Sequence, residues 1–414
     1  AANILVRSLA EELGLSLNKK YKIILASFLA VAKKVNGKAF DWQTGYETLT
    51  IWSLFPNVSN KSINEVYKLL KQLDYIGASA DIPNYLVERM GFGKPNWIKA
   101  KKLPQHFLKE ATFIEANLPH VLVNKPEMYH DKIAIGEQSR TAPKFGIQQV
   151  KQKFGRDYTL AYRPVKEMNT YWAEHPLYNP IDDEYYSSAT RIFHNGSIKS
   201  GGCWYGGWTN MCSDQRHSLT IDGHPVVYVD VNGMILSILS CLTGKPMNMI
   251  GVWDDVYQRV VCQIPNITNA RNMVKDVIME LTGTGNPYKD QPSPDSKTLH
   301  DVEQFKHIRD LCLEVYPALK CLDKKRLNFS NELSYHEANI LTETLLRLKD
   351  MGIIAYPLHD CVLVRLGNEL DALETVKSVF KEYVSNFREH KLDLDIAVTV
   401  KYSPSNKVKV PGSF

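Results

Sequence analysis

Two aspartates in this sequence follow hydrophobic runs that are typical of buried strands. Asp230 ends the run Val226–Val229, and Asp360 lies within YPLHDCVLV, which reads as a strand or a tight hairpin. An ionised carboxylate is costly to bury unless a cation pairs with it. Two such carboxylates on adjacent strands would repel each other, and hard oxygen ligands of this kind suit Mg²⁺. The alternative is that each aspartate caps a turn, which is the commoner role for either one alone.

A third segment carries the opposite charge. Residues 266–281, NITNARNMVKDVIMEL, predict a helix with an apolar face and a cap at Thr268 or Asn269. Arg271 and Lys275 lie one turn apart on its other face. Cations near a helix N-terminus can bind a polyphosphate, because side-chain charge and helix dipole act in the same direction. Surface cations at this spacing are common, so this helix alone does not indicate a function.

Strands and helices alternate in the second half of the chain, and they position these residues. The strand that ends at Asp230 turns at Gly233 into an apolar helix that Gly244 closes. A predicted helix over Glu337–Asp350 leads into the segment of Asp360. Asp230 is therefore expected at the carboxyl end of a hydrophobic strand, where sheets commonly expose functional groups.

The first 150 residues read as mostly helical. Amphipathic stretches at Tyr21–Lys34 and Ser62–Leu73 predict helices, and a turn and a small wing could follow the second one. That order is similar to a helix-turn-helix arrangement, although packing alone accounts for helices of this length. The segment GKPNWIKAKK, residues 93–102, interleaves Trp97 with four lysines. It could bind a phosphate backbone or form a solvated loop.

Composition narrows the class of protein. A chain of 414 residues with 44% hydrophobic and 23% charged residues predicts a large core and two or three domains. The sequence shows no signal peptide and no apolar run long enough to cross a bilayer, so we expect a cytoplasmic protein without membrane contacts. The seven cysteines form no C-x-x-C pair, which disfavours a zinc knuckle and a disulfide framework. A net charge of +5 permits nucleic-acid binding without indicating it.

The order of the three segments resembles motifs A, B and C of the family A polymerases, which include the DNA polymerase I type and the phage-type single-subunit RNA polymerases. A strand with Asp, a helix with R-x-x-x-K and a strand with H-D follow one another in that order. RIFHNGSIKSGGCWYGGWTNM resembles the Gly-rich segment that lies on the primer–template minor groove, and GVWDDVYQRVV resembles the acidic, aromatic helix before the fingers. The likeness covers about residues 185–404, and residues 1–150 show none.

This resemblance implies an α+β fold of the polymerase right-hand type, with an antiparallel-sheet palm and helical fingers. Residues 151–414 would form the palm, with the fingers inserted at about 245–330. Residues 1–150 would form a mostly helical region that is thumb-like, a helix-turn-helix nucleic-acid-binding module, or both.

The resemblance also implies roles for single residues. Asp230, Asp360 and the carbonyl of Val231 would hold two Mg²⁺ ions, which act on the attacking 3′-hydroxyl and on the triphosphate. Arg271 and Lys275 would bind the triphosphate, and Lys275 would donate a proton to the leaving pyrophosphate. The predicted primer–template contacts are His359, Arg216 and Gly202 from the resemblance, and Lys99 and Lys101 from the lysine-rich segment.

Several positions depart from the family pattern. Ile235 stands five residues after Asp230, where the DNA-synthesising branch has a Glu that excludes a ribose 2′-hydroxyl. Ile235 would exclude that hydroxyl by shape alone, or it simply packs its helix into the core. Cys203 replaces an expected Arg, and Met279 replaces the aromatic residue that stacks on the incoming base.

The leading functional hypothesis is a small DNA polymerase without a proofreading exonuclease, of the kind found in phages, plasmids and other mobile elements. Its predicted partners are a DNA primer–template and nucleoside triphosphates. One alternative is a single-subunit RNA polymerase or primase-like enzyme on the same palm, which would bring in RNA. The other alternative is a nucleic-acid-binding replication or defence factor whose palm is catalytically inactive.

Overall fold

Contacts along the chain divide it into two compact units. The first comprises Ala1–Leu122 and Pro126–Gln149, and the second comprises Val123–Lys125 and Val150–Phe414. The computed structural model describes residues 2–35, 40–41, 60–78, 97–100, 120–124, 145, 147–181, 183–246, 255–264, 267–294, 296, 298–322, 329–387, 396 and 398–402. Helices and sheets both contribute to this part of the chain, so the predicted α+β class is confirmed, whereas the assignment of palm and fingers stays a prediction.

The first unit combines helices with a small sheet. Its described elements are α1 (Ala2–Glu12), α2 (Lys19–Val35), β1 (Phe40–Asp41), α3 (Asn60–Gln72), β2 (Ile76–Ala78) and β3 (Trp97–Ala100), and β4 (Val121–Val123) follows them in the chain. The two helices predicted here are confirmed as α2 and α3. Their apolar faces pack with that of α1 into one core, because leucines and isoleucines recur at helical spacing in all three.

The second unit contains the segments that the sequence singled out. Its elements in chain order are α4 (Ile147–Glu174, interrupted at Gly155), β5 (Leu177–Asn179), β6 (Glu184–Tyr186), β7 (Ala189–Phe193), β8 (Gly201–Gly206), α5 (Ser213–His217), β9 (Thr220–Ile221), β10 (His224–Val231), α6 (Met234–Thr243), α7 (Gln258–Val261), α8 (Ala270–Thr284), α9 (Val302–Val315), α10 (Phe329–Asp350), β11 (Ala355–Leu358), β12 (Cys361–Arg365), α11 (Glu369–Ser385) and β13 (Val398–Tyr402). Short 3-10 helices lie at Gly207–Asn210 and Pro317–Cys321. Among the described residues, no helix is both long and apolar enough to span a bilayer.

An antiparallel sheet forms the centre of the second unit. In the described part of the chain it has the strand order β11-β12-β10-β9-β5-β6, and β13 also pairs with β10. Strand β10 therefore lies between β12 and β13 over most of its length, and its residues 226–229 are buried. Burial on both faces explains why this strand reads as a continuous apolar run.

The turn after β10 forms as the sequence predicts. Gly233 has a φ of 68°, and a Cβ at this position would lie 2.5 Å from Val256 Cγ2. Glycine is therefore needed both for the left-handed backbone and for the close approach of Val256. The apolar helix α6 follows and ends at Gly244, which also adopts the left-handed conformation.

Two elements around Asp360 differ in extent from the simplest sequence interpretation. Helix α10 begins at Phe329 rather than Glu337, because Phe329 and Leu333 extend its buried face by two turns. YPLHDCVLV forms a hairpin, with His359 and Asp360 in the turn between β11 and β12. Asp360 is thus a turn residue at the end of two apolar strands, and it does not interrupt a strand.

Buried aromatic side chains fix this hairpin. Trp172 Nε1 donates to the carbonyl of Ala355 at 2.9 Å, and Trp208 Nε1 donates to the carbonyl of Pro357 at 2.7 Å. The ring of Tyr356 stacks on Trp172 with a centroid separation of 4.8 Å. These contacts satisfy backbone groups of β11 that would otherwise be buried without partners. They hold the strand that leads to Asp360 in one position.

We expect Trp208→Phe to destabilise the protein by about 2–4 kcal/mol, because it leaves a cavity and an unpaired carbonyl at Pro357. Urea unfolding followed by circular dichroism measures this free energy. Tyr288→Phe is the matched control, since the Tyr288 side chain is 62% exposed and should change stability by less than about 0.5 kcal/mol. Equal stability of the two variants would contradict the role given to Trp208.

Candidate active site

The two aspartates singled out by the sequence come together at one end of the central sheet. Asp230 stands one residue before the end of β10 and is in register with Cys361 of β12. Asp360 directly precedes Cys361, so the two carboxylates belong to neighbouring positions on adjacent strands. Burial raises the pKa of Asp360, and the Asp230 carboxylate adds to that rise. The sheet therefore concentrates negative charge at a place where a cation is needed to balance it.

The last described strand supplies one such cation. Lys401 in β13 donates from its Nζ to Oδ2 of Asp230 in an ion pair. The Lys401 side chain is 63% exposed and that of Asp230 is 19% exposed. An ion pair with one solvated partner contributes about 1 kcal/mol or less. Lys401 can therefore leave Asp230 at little cost when another cation approaches.

The donor set fits a small divalent cation. Mg²⁺ prefers oxygen ligands and commonly combines one or two carboxylates with waters and substrate phosphates. Within the described ranges, no group of three or more His, Cys, Asp or Glu side chains is placed to hold a metal. The side chains offered to a cation here are thus Asp230 and Asp360. Val231 follows Asp230 at the end of β10, and its carbonyl stays a predicted ligand.

The cationic helix is confirmed as α8. Arg271 lies in its first turn, where Nε donates to Oδ2 of Asp255 at 2.5 Å. The guanidinium also lies over the ring of Tyr257, with 5.2 Å between Cζ and the ring centroid. Burial raises the pKa of Tyr257 to about 12, with Asp360 the next contributor and Arg271 acting in the opposite direction. Tyr257 is therefore in contact with Arg271 and within electrostatic reach of Asp360.

Lys275 and Met279 continue the solvent-facing side of α8. Both are exposed, and they follow Arg271 at intervals of one helical turn. The positive charge of Lys275 lowers the pKa of Asp360, against the larger effect of burial. Lys275 is thus within electrostatic reach of the carboxylates, although it forms no ion pair with any residue that the structure describes. Met279 is 53% exposed, which is high for a large apolar side chain.

A buried arginine forms hydrogen bonds to the Gly-rich strand β8 and to helix α10. Arg191 is 3% exposed, donates from Nε to the carbonyl of Gly202 at 2.6 Å and donates from Nη2 to Oδ1 of Asn339 at 2.9 Å. A Cβ at Gly202 would lie 2.5 Å from Phe193 Cε1, and the φ of Gly202 is 86°. Glycine is therefore required at position 202 by the packing itself. A contact of Gly202 with primer–template stays a prediction.

Arg216 lies near the side of the sheet that bears Asp230. Tyr228 shares this face of β10, because alternate residues of a strand point the same way. Burial raises the pKa of Tyr228 to about 12, and the charge of Arg216 acts in the opposite direction. Arg216 Nε and the Tyr228 hydroxyl are both buried, and neither has a hydrogen-bond partner among the described residues. Arg216 is thus a cation within electrostatic reach of Tyr228 and of Cys361, the residue in register with Asp230.

A third carboxylate belongs to the same neighbourhood. Glu337 of α10 has its pKa raised to about 8 by burial, and Asp360 adds to the rise. Glu337 in turn helps to raise the pKa of Cys203 and of Tyr205 on β8, where burial is again the main cause. The carboxyl group of Glu337 is therefore protonated at neutral pH, and it lies within electrostatic reach of Asp360 and of Cys203 on β8.

The other predicted residues occupy different environments. His359 adopts a φ of 53°, is exposed beside Asp360 and lowers its pKa. Ile235 is partly buried against the core, which agrees with a packing role and leaves sugar selection untested. Lys99 lies in β3 of the first unit, and Lys101 lies outside the described residues.

Sequence reasoning missed Lys401, Glu337 and the partner of Arg271. Asp255 lies in the acidic, aromatic segment quoted above, but its spacing from Arg271 does not indicate an ion pair. Lys401 looks like any solvated lysine on a terminal strand, since its partner lies far away in sequence. Glu337 occurs among polar residues at the start of a predicted helix, where a glutamate is usually exposed.

The structure thus defines an α+β protein whose central sheet carries a carboxylate pair beside a cationic helix. No family model and no curated protein matches the chain. One matching solved structure is the POL domain of Pol1 from M. smegmatis in complex with DNA primer-template and dNTP, with 12% sequence identity and a TM-score of 0.34. The match covers 64% of this chain and 56% of that one, so the chain spans little more than half of that structure.

The raised pKa of Glu337 predicts a pH dependence of stability. Between its ordinary value of 4.5 and about 8, folded Glu337 binds a proton that the unfolded chain has released. Stability therefore falls as pH rises through this window. Glu337→Gln lacks this titrating group. We therefore expect its free energy of unfolding, relative to that of wild type, to increase by roughly 1–2 kcal/mol as the pH rises from 5 to 8.5.

Urea unfolding at a series of pH values checks this expectation. Glu374→Gln, at an exposed position of α11, is the control and should follow the wild-type curve. If wild type and Glu337→Gln showed parallel curves, Glu337 would not be a buried neutral acid.

Proposed function

We propose that this protein is a template-directed nucleotidyltransferase, a small DNA polymerase of the family A type without proofreading that extends a primer. The observation that carries the proposal is the pairing of Asp230 with the Asp360 turn on adjacent strands, within electrostatic reach of Lys275. Carboxylates that hold divalent cations, next to cations that hold phosphate, are the groups that phosphoryl transfer requires. The order of these residues in the sequence, which resembles that of the family A polymerases, supports the same assignment.

In this proposal the protein acts by positioning charge. Asp230 and Asp360 hold divalent cations, with Lys401 released from Asp230. When bound, the two Mg²⁺ ions acidify the primer 3′-hydroxyl and neutralise charge on the triphosphate. Arg271 exchanges Asp255 for phosphate oxygens of the incoming nucleotide. The 3′-hydroxyl loses its proton to water, and its oxygen forms a bond to the α-phosphorus as the bond to pyrophosphate breaks. Lys275 donates a proton to the leaving pyrophosphate.

The remaining residues surround the reacting atoms in this proposal. His359 lies beside the primer terminus, and Gly202 and Arg216 contact the primer–template. Met279 supplies an exposed, polarisable surface against which the incoming base can pack. Ile235 limits access for a ribose 2′-hydroxyl by shape, which gives only a modest preference for deoxynucleotides.

The direct test is extension of a labelled primer on a DNA template with Mg²⁺ and separate pools of dNTP and rNTP. We expect extension with dNTP, and we expect Asp230→Asn and Asp360→Asn each to slow it by about a thousandfold or more, because each removes a ligand used in the transition state. Both variants should fold and still bind primer–template. Asp371→Asn, which removes a carboxylate from an exposed position of α11, is the control.

The outcomes of this assay separate the functional hypotheses. Extension or de novo synthesis that prefers rNTP favours the RNA polymerase or primase-like alternative. No synthesis with either pool, but firm nucleic-acid binding, favours the inactive binding factor. Near-normal turnover in either aspartate variant would remove the two-metal assignment.

Separate effects are expected from the two cations of α8. Arg271→Ala should raise the KM for nucleotide about tenfold, because a charge-assisted hydrogen bond to phosphate is lost. Lys275→Met should mainly lower the rate of the chemical step. Asp255→Asn should lower the KM two- to fivefold, since it removes a carboxylate that competes with phosphate in a partly exposed pair worth about 1 kcal/mol or less.

Steady-state and single-turnover kinetics distinguish these effects, with the exposed Arg163→Ala as the control. A higher KM in Asp255→Asn would show that Asp255 orients Arg271 for the nucleotide, and the exchange of partners proposed above would be wrong.

A further inference from the structure

In the first unit, helix α3 has one side packed into the core and another side that is not. The small sheet of this unit is antiparallel with the order β1-β3-β2, so β3 pairs both with the strand before α3 and with the strand directly after it. The buried side of α3, formed by Ile63, Val66 and Leu70, packs into the core shared with α1 and α2. Helices α1 and α2 thus cover one side of α3 and leave its other side uncovered by them.

That other side of α3 is polar and basic. Asn64, Lys68 and Lys71 recur at intervals of one helical turn, and both lysines are exposed. From Asn64 to Lys71 the stripe is about 10 Å long, at 1.5 Å per residue. This length matches about three base-pair steps of B-DNA. The stripe is therefore as long as the stretch of bases that one recognition helix contacts.

The positive charge of this face exceeds the negative charge beside it, because among the described residues Lys68, Lys71 and Lys20 outnumber the one flanking carboxylate, Glu65. Neither Lys68 nor Lys71 forms an ion pair with a residue that the structure describes. The carboxylate on the flank of the stripe, Glu65, accepts a hydrogen bond from the hydroxyl of Tyr21 at 2.6 Å. Lys20 lies over the ring of the same Tyr21, 4.4 Å from its centroid, and adds a third cation beside α3. The surface is thus complementary to a polyanion.

The composition of the stripe selects among polyanions. Readers of single strands stack bases on exposed aromatic side chains, whereas Tyr67, the aromatic residue that flanks the stripe, is half-buried against the core of the first unit. The deep major groove of an RNA duplex is too narrow for a helix, whereas that of B-DNA admits one. Asparagine can form two hydrogen bonds to adenine in that groove, and lysines at its edges can contact phosphates.

We infer that α3 is a recognition helix that binds the major groove of duplex DNA, with Lys68 and Lys71 on phosphates and Asn64 on a base edge. This function is separate from nucleotide addition and does not depend on the chemistry proposed for the second unit. It gives the protein a preferred DNA sequence, which the carboxylate site alone would not provide.

The test uses the full chain and blunt duplex DNA with a randomised central segment. Sequencing of the duplexes that wild type retains should reveal one preferred site, and fluorescence anisotropy then gives affinities for that site and for a scrambled one. We expect Lys68→Gln/Lys71→Gln to weaken binding about tenfold or more and to reduce the slope of log K against log salt by about 1.8, for two lost phosphate contacts. Asn64→Ala should keep that slope. It should lower the ratio of the affinity for the selected site to that for the scrambled site by about tenfold.

Control variants and a second ligand make the test decisive. Lys166→Gln/Lys320→Gln removes the same charge from exposed positions of the second unit and should leave affinity within about twofold of wild type. The substituted lysines are exposed and Asn64 is half-buried, so thermal unfolding should confirm that each variant is folded. A duplex RNA of the selected sequence should bind weakly.

Four results would overturn the inference. They are unchanged affinity in the Lys68→Gln/Lys71→Gln variant, an equal loss in the control variant, equal binding of the RNA duplex, and the absence of a preferred site that depends on Asn64.

Discussion

The charges of the candidate site in the second unit are arranged around the mutual repulsion of two carboxylates, Asp230 and Asp360. Asp230 and Asp360 are brought to neighbouring positions by the register of β10 with β12, in a place where burial already penalises charge. Such an arrangement is unfavourable unless cations or protons compensate it. Lys401 supplies a cation to Asp230, and Glu337 stays neutral, so it adds no third negative charge.

The positive side of the site is balanced in the same manner. Arg271 is paired with Asp255 and lies over Tyr257. The carboxylate of Asp255 thus occupies the place on Arg271 that a phosphate of the nucleotide would take. Both ion pairs are partly exposed and weak. A site built this way can exchange its internal partners for a divalent cation and a triphosphate without uncovering an isolated buried charge. The rigid parts lie behind it, where Trp172 and Trp208 fix the strand that leads to the Asp360 turn.

Much of this arrangement can be predicted from the sequence, because local patterns determine it. The apolar run before Asp230, the glycine turn and helix α6 follow from the local order of residues, and so do α3 and the cationic face of α8. At Asp360 the sequence is compatible with a strand or a hairpin, and only the strand register decides between the two. Lys401 and Glu337 could not be assigned, since each acts on a residue that is distant in sequence or buried by elements that the local pattern does not specify. The register of β13 with β10 brings Lys401 to Asp230, and no local signal encodes that register.

The central claim is that Asp230 and Asp360 form one cation site. Titration with Mn²⁺, followed by electron paramagnetic resonance of the free ion, measures that site without requiring any reaction. The account predicts that wild type binds Mn²⁺ in the presence of primer–template and nucleotide, that Lys401→Gln binds it two- to fivefold more tightly because a competing cation is gone, and that Asp230→Asn/Asp360→Asn loses the site. Equal Mn²⁺ binding by wild type and the double aspartate variant would contradict the account.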